Sequence, residues 1–231
     1  VSVIPMIFLC FRLFAQQTQS LDFLLPKSGS QEQCITELKH QRLLQKDSIY
    51  KEKFEAELQS SILKKSQQGG KETYYIPVIV HVMHLGESEN EGTNISDEQI
   101  LSAIEQLNKA YGEENTGPDT KIAFCLATQD PNGQPTDGII RVNASSVTDY
   151  AKKGVTDLSF GDGTSDNESE LKAVSYWNNL DYYNVWVVNE INDNDGGSGT
   201  QGYAYYPNGG FEADYDGTII LHNAFGYDPD G

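Results

Sequence analysis

The apolar positions from Tyr74 onward fall into short runs of two different periods. "YYIPVIVHVMH", Tyr74 to His84, is apolar at nearly every position, which predicts a strand covered on both faces. "NISDEQILSAIEQLNKAYGEEN" then switches to helical spacing, with Ile100, Ile104, Leu107 and Tyr111 on one face. Ser96 and Gln99 stand at capping-box spacing before it, and Ile95 and Ile100 at staple positions. Ile122, Phe124 and Leu126 alternate along a second strand, which "DPNG" turns. "ESELKAVSYWNNL" predicts a helix, "YYNVWVVNEI" a strand, and "GYAYYP" an aromatic edge strand stopped by Pro207. The run "DGTIIL" predicts a last buried strand, followed by turn chemistry through Tyr227 to Gly231 that normally delivers a chain into another element. Strands and helices in this mixture predict an α/β (α+β) domain.

Upstream the pattern thins to a single stripe. Tyr50, Phe54, Leu58 and Ile62 recur every four residues in a helix that Asp47 or Ser48 can cap. One stripe on a short helix must be buried against something larger, so this segment predicts an accessory piece of pro-region character. "VSVIPMIFLCFRLFA", residues 1–15, is too short to span a bilayer and is followed by polar "QQTQS", the layout of a secretory signal. Export follows, with no stable membrane insertion. Residues 16–73 then read as pro-region and linker, ending in the polar "KKSQQGGKET", and residues 74–231 as the first part of a larger domain.

Charge sharpens that boundary. Through Thr73 there are 10 Lys and Arg against 8 Asp and Glu; from Tyr74 there are 6 against 26, which accounts for the net charge of −18. A surface so acidic repels phosphate backbones and excludes nucleic acid as a partner.

The ordered set "IPVIVHVMH", "ISDEQILSAIEQLN", "FCLATQDPNGQPTDGIIRVNAS", "WNNLDYYNVWVVNEI", "GYAYYP" and "DGTIILHNAFG" resembles a bacterial pappalysin-family metalloprotease of the cytophagalysin type, within the metzincins. The resemblance covers about Cys34 to Gly231. It implies a twisted mixed sheet with an antiparallel edge strand and backing helices, preceded by a small helical pro-region. It also implies a secreted zinc endopeptidase acting on protein or peptide substrates. In that family the next element carries H-E-x-x-H-x-x-G-x-x-H, two histidines one turn apart and a third after the glycine binding Zn2+, with the glutamate activating the metal-bound water. The chain contains none of these residues, so no catalytic residue is assigned in it and by itself it is expected to cleave nothing.

The same resemblance gives two site expectations. "CITELKHQRLL" is similar to a Cys-Gly-Thr-x-x-x-His pro-segment, matching at Cys34, Thr36 and His40 and departing at Ile35. It implies that the Cys34 thiolate is a latency ligand to zinc in the zymogen. Gly202, Tyr203, Ala204, Tyr205 and Tyr206 occupy the place of the edge strand that borders the cleft and would pair with substrate by β-augmentation.

The remaining candidates read as structural. His81 and His84 are three apart on a strand and point to opposite faces, so they cannot jointly hold a metal; His40 and His222 read as structural or solvated. Cys125 is expected to be buried and unpaired. Two other readings stand beside the protease: an extracellular adhesion or carbohydrate-binding module, and a domain stabilised by Ca2+ at "DNDGG" or "GDGTSD", segments that are more often plain turns.

Overall fold

The computed structural model describes residues 35–65, 72–112, 119–156, 167–197, 199–206 and 216–227, all within one unit that starts at Gln33. The signal segment, Cys34, most of the linker, "GDGTSD" and Pro207 lie outside the described residues.

The long apolar run becomes β1 (Tyr74–His84), the hub of a six-stranded sheet. Two short strands share one edge of it: β2 (Ile122–Leu126) runs parallel to Tyr74–Val78, and β3 (Ile139–Asn143) runs parallel to Val80–His84. The expected "DPNG" turn lies between them, with Asp130 Oδ1 accepting from the amides of Asn132 and Gln134, both at 2.8 Å. It does not make a hairpin, because each flanking strand pairs with β1 instead. On the other edge come β4 (Tyr183–Val188) and β6 (Thr218–Leu221), both parallel, and then β5 (Gly202–Ala204), antiparallel to β6. The path is β2-β1-β4-β6-β5, a mixed sheet ending in an antiparallel edge.

Strand alternation sorts the core onto two faces. Val78, Val80, Val82, Val185 and Val187 pack against Ile100 and Ile104 of α3 (Asp97–Tyr111) and against Ile95, which precedes its cap. Met83, Trp186, Val188, Tyr203, Ile219 and Leu221 face the opposite way, toward Tyr150, Leu171 and Ile191. Two short helices serve this second face, at Tyr150–Lys153 (α4) and at Glu168–Ala173 (α5). The helix expected from "ESELKAVSYWNNL" is only its first six residues; beyond it Trp177 N–H donates to Asn184 Oδ1 and Trp177 C=O accepts from Asn184 Nδ2, bonds that take the place of a further turn.

Ser96 caps α3 as expected, accepting from the Gln99 amide at 3.2 Å. The capping box is only half made. Gln99 Nε2 reaches instead to the carbonyls of His222 and Phe225, at 2.8 and 2.9 Å, and so ties the turn after β6 to the start of α3. Gly226, at φ +79°, lets that turn close, since a Cβ there would sit 2.1 Å from the Gln99 carbonyl oxygen.

Cys125 corrects an expectation: it is a free thiol and exposed. Ile122, Phe124 and Leu126 take the face toward α3, so Cys125 points the other way at the outer strand of the sheet. His81 and His84 do lie on opposite faces. His81 is wholly buried, stacked 5.2 Å from Trp186 with Nε2 2.9 Å from Asn184 Oδ1, while His84 sits 4.0 Å from Glu87.

The accessory segment forms two helices rather than one, α1 (Ile35–Lys46) and α2 (Ser48–Lys65). Asp47 separates them and caps the second, its Oδ1 accepting from the amides of Ile49 and Tyr50, each at 2.9 Å.

Candidate peptide-binding edge

β5 is the outermost strand, so half of its backbone groups turn away from the sheet. Leu221 N–H donates to Gln201 O, and Tyr205 N–H donates to Gly217 O, which sets the odd positions toward β6. Gly202 and Ala204 therefore present their N–H and C=O to the open side. Of the five residues expected to bind substrate, Gly202, Tyr203 and Ala204 form β5, while Tyr205 and Tyr206 follow it. Tyr203 is buried in the core and Tyr206 is exposed.

The open side is taken by α1. Ala204 N–H donates to Thr36 Oγ1 at 3.2 Å. One turn further along the same helix face, Lys39 drops its ammonium beside Tyr203 and Tyr205. Its Nζ lies 2.6 Å from Glu168 Oε2, 2.7 Å from the Tyr205 hydroxyl and 3.8 Å from the centroid of the Tyr203 ring. His40 follows, packed 4.5 Å from Tyr206 and 4.4 Å from Phe54, with Nδ1 and the Tyr50 hydroxyl sharing a hydrogen bond of 2.9 Å. Thr36 thus holds Ala204, Lys39 holds Tyr203 and Tyr205, and His40 packs on Tyr206.

Glu168 is the centre of the charge cluster. Its Oε2 also accepts from the hydroxyls of Tyr203 and Tyr205, at 2.9 and 3.0 Å, and its Oε1 faces Lys172 Nζ at 2.8 Å. Burial alone would push this carboxyl up, but Lys172 and Lys39 outweigh it and bring it down to about 2. Lys172 moves down as well: it is equally buried, and its attraction to Glu168 is partly cancelled by Lys39. The carboxylate is the secure charge, having two cationic and two phenolic partners. Nothing in the pattern of "ESELKAVSYW" marked this cluster, because Glu168 and Lys172 at i, i+4 read as a surface pair until a third element covers them.

The buried histidines set an acid limit. Burial brings His81 down to about 4 and lowers His40 too. Each is neutral in the fold and takes a proton more readily when unfolded, so the stability they carry is complete above about pH 6.5 and is lost as pH falls toward 4. In high salt, which screens the net negative charge, the urea midpoint is expected to fall over that window. The His81 ring resonance should keep its neutral shift down to about pH 4; a midpoint that stays flat to pH 4.5, or a His81 that titrates near 6.5, would contradict this.

Cys34 precedes α1 directly in sequence and lies outside the described residues. Among the described residues no three His, Cys, Asp or Glu side chains come together to hold a metal ion, so those residues do not fit a zinc centre. At "DNDGG" burial raises the Glu190 carboxyl above the usual carboxylate range, and the nearby Asp193 and Asp195 add to that.

A mixed sheet with an antiparallel edge, backed by α3, is the fold of metzincin-like metalloproteases. Solved structures of mirolysin are among those it resembles. Promirolysin of Tannerella forsythia, carrying a single substitution, matches with a TM-score of 0.60 and 26% identity over 85% of this chain and 62% of that one. Mature mirolysin of the same organism, in complex with a cleaved peptide, matches with a TM-score of 0.52 and 28% identity over 69% and 56%. Mirolysin in complex with compound 9 gives a TM-score of 0.51 and 28% identity over 68% and 56%. The chain therefore spans about three-fifths of the promirolysin chain. No family model matches it, and no curated protein matches it by sequence.

Proposed function

We propose that this chain is the pro-region and the first part of the catalytic unit of a secreted zinc metalloendopeptidase of the pappalysin type, with α1 closing the strand edge on which peptide would lie. The observation that carries the proposal is the hydrogen bond from Ala204 N–H to Thr36 Oγ1, because it occupies an outward main-chain donor that a substrate strand would need. The division at residues 73 and 74 fits this reading, with α1 and α2 as pro-region and β1 opening the catalytic unit.

Two comparisons support it. The likeness to the zymogen extends over 85% of the chain against 69% for the mature form, an excess of about 37 of the 231 residues and close to the size of the α1–α2 segment. The mature form was captured with a cleaved peptide, which makes peptides the natural class of partner. Among the described residues no helix is long and apolar enough to cross a membrane. The zinc ligands belong, in this proposal, to sequence that follows Gly231, and Cys34 is the residue that would hold the precursor latent.

The longer precursor tests this. It should show a lag, then chelator-sensitive cleavage of a protein substrate, with the first cut in the 64–73 linker. Cys34→Ala should shorten the lag and leave the turnover of the processed enzyme unchanged. Equal lags would remove the role of Cys34; absence of peptidase activity from precursor and processed forms alike would sink the proposal.

A further inference from the structure

Lys39 fills a socket made for one ammonium. Glu168 Oε2 and the Tyr205 hydroxyl take two of its hydrogens, and the Tyr203 ring lies 3.8 Å beneath the charge. Lys39, Glu168, Lys172 and Tyr203 are each 4% exposed or less, so the ion is fully enclosed. We infer that when α1 leaves, this socket takes the side chain of a lysine in a peptide lying along β5, and that it selects lysine over arginine. The inference rests on the reading of β5 as a peptide-binding edge and adds a specificity pocket to it.

Charge balance argues that the socket wants a cation back. Among the described residues the buried Glu168 carboxylate faces two ammonium groups, Lys39 at Oε2 and Lys172 at Oε1. Removing Lys39 takes one of the two cations from that carboxylate and leaves Oε2 without its charged partner, a state that binding of an ammonium relieves. Position argues the same. Thr36 and Lys39 are one helical turn apart, so α1 offers β5 a main-chain partner at Ala204 and a cation in the socket together. Those are the two contacts an extended peptide makes when a carbonyl meets the Ala204 amide and a neighbouring side chain reaches over the edge.

The preference for lysine follows from the carboxylate. A guanidinium is held best by a fork of two parallel bonds to both oxygens, whereas an ammonium is a compact point charge. Glu168 presents Oε2 to the socket, while Oε1 faces the Lys172 ammonium at 2.8 Å, whose charge repels a second cation there. The two tyrosine hydroxyls already converge on Oε2, which leaves room for one short donor and not for a planar fork.

Chemical rescue in the whole chain tests the socket itself. In Lys39→Ala, n-butylammonium should restore protection of the α1 amides from hydrogen exchange in a saturable way, while n-butylguanidinium is at least about ten-fold weaker, a difference of roughly 1.4 kcal/mol, and n-butanol has no effect. Lys39→Arg, which needs no rescue to be read, should loosen α1 as much as Lys39→Met does. Failure of n-butylammonium to rescue, or an arginine that holds α1 as well as lysine, would overturn the inference.

A second arm uses Thr36→Ala/Lys39→Ala and peptides alike except for Lys, Arg or norleucine at one position. The lysine peptide should bind at least about ten-fold tighter than either of the others. Peptides that bind equally would overturn the socket's role in specificity while leaving the edge reading intact. If no peptide binds although n-butylammonium still rescues, the edge reading falls, and the peptide pocket with it.

Discussion

Glu168→Leu should release α1 from β5 and lower the stability of the chain by about 3–5 kcal/mol, the usual cost of stranding buried charge by removing its partner. Lys39 and Lys172 would face each other across an apolar side chain, with the hydroxyls of Tyr203 and Tyr205 losing their shared acceptor. Asp216 softens this for Lys172, so the greater loss should fall on the α1 side. The urea midpoint measures the total, and hydrogen exchange in Ile35–Lys46 measures the release. Replacing Lys39 and Lys172 by methionine in the same chain should recover most of the loss, since a buried ion cluster exchanged whole for apolar groups is often close to neutral. A Glu168→Leu chain with wild-type midpoint and unchanged α1 protection would show that the cluster does not hold the helix.

Trp186→Ala should cost about 3–5 kcal/mol, in the range of large aromatic deletions from a packed core. Trp186 is completely buried in the middle of β4, stacked on His81 and 5.0 Å below the Lys172 ammonium, so its loss opens a cavity where sheet, α5 and charge cluster meet. Gly217 is part of the same packing: a Cβ there would lie 2.6 Å from Trp186 Cζ3. The indole Nε1 is buried and has no hydrogen-bond partner among the described residues, so Trp186→Phe removes volume and at the same time that donor. It should cost well under half as much as the alanine change. Thermal or urea unfolding of the two variants separates these terms, and a Phe variant as unstable as the Ala variant would mean that the indole nitrogen has a role the packing does not reveal.

The parts of the fold legible in the sequence were those governed by local periodicity. Continuous apolarity in Tyr74 to His84 marked the central strand, four-residue spacing from Ile100 marked α3, and Pro207 after an aromatic run marked the edge. What stayed hidden depended on pairing over long sequence distance. The strand after "DPNG", Ile139–Asn143, carries no such mark, and it lies end to end with β2 along β1. Gln99 has the spacing of a capping box, yet its amide is drawn to carbonyls more than a hundred residues away. α1 carries no strong stripe, because its attachment is polar and pointwise, through Thr36 and Lys39. The cluster at Glu168 joins residues 39, 168, 172, 203 and 205, and no window of sequence contains them together. Lysine is the least conspicuous of buried residues in a sequence, since its default place is the solvated surface.

Whether α1 holds the edge that a peptide would take is tested most directly at the Ala204 amide. Its 15N–1H resonance can be followed while an extended peptide is titrated into the intact chain and into Thr36→Val/Lys39→Met, which keeps the shape of both side chains and removes their polar contacts. The amide should be unmoved by peptide in the intact chain, where Thr36 Oγ1 accepts its hydrogen at 3.2 Å, and should shift saturably in the variant. An Ala204 amide that responds to peptide equally in both chains, or in neither, would contradict the assignment of β5 as a peptide-binding edge closed by α1.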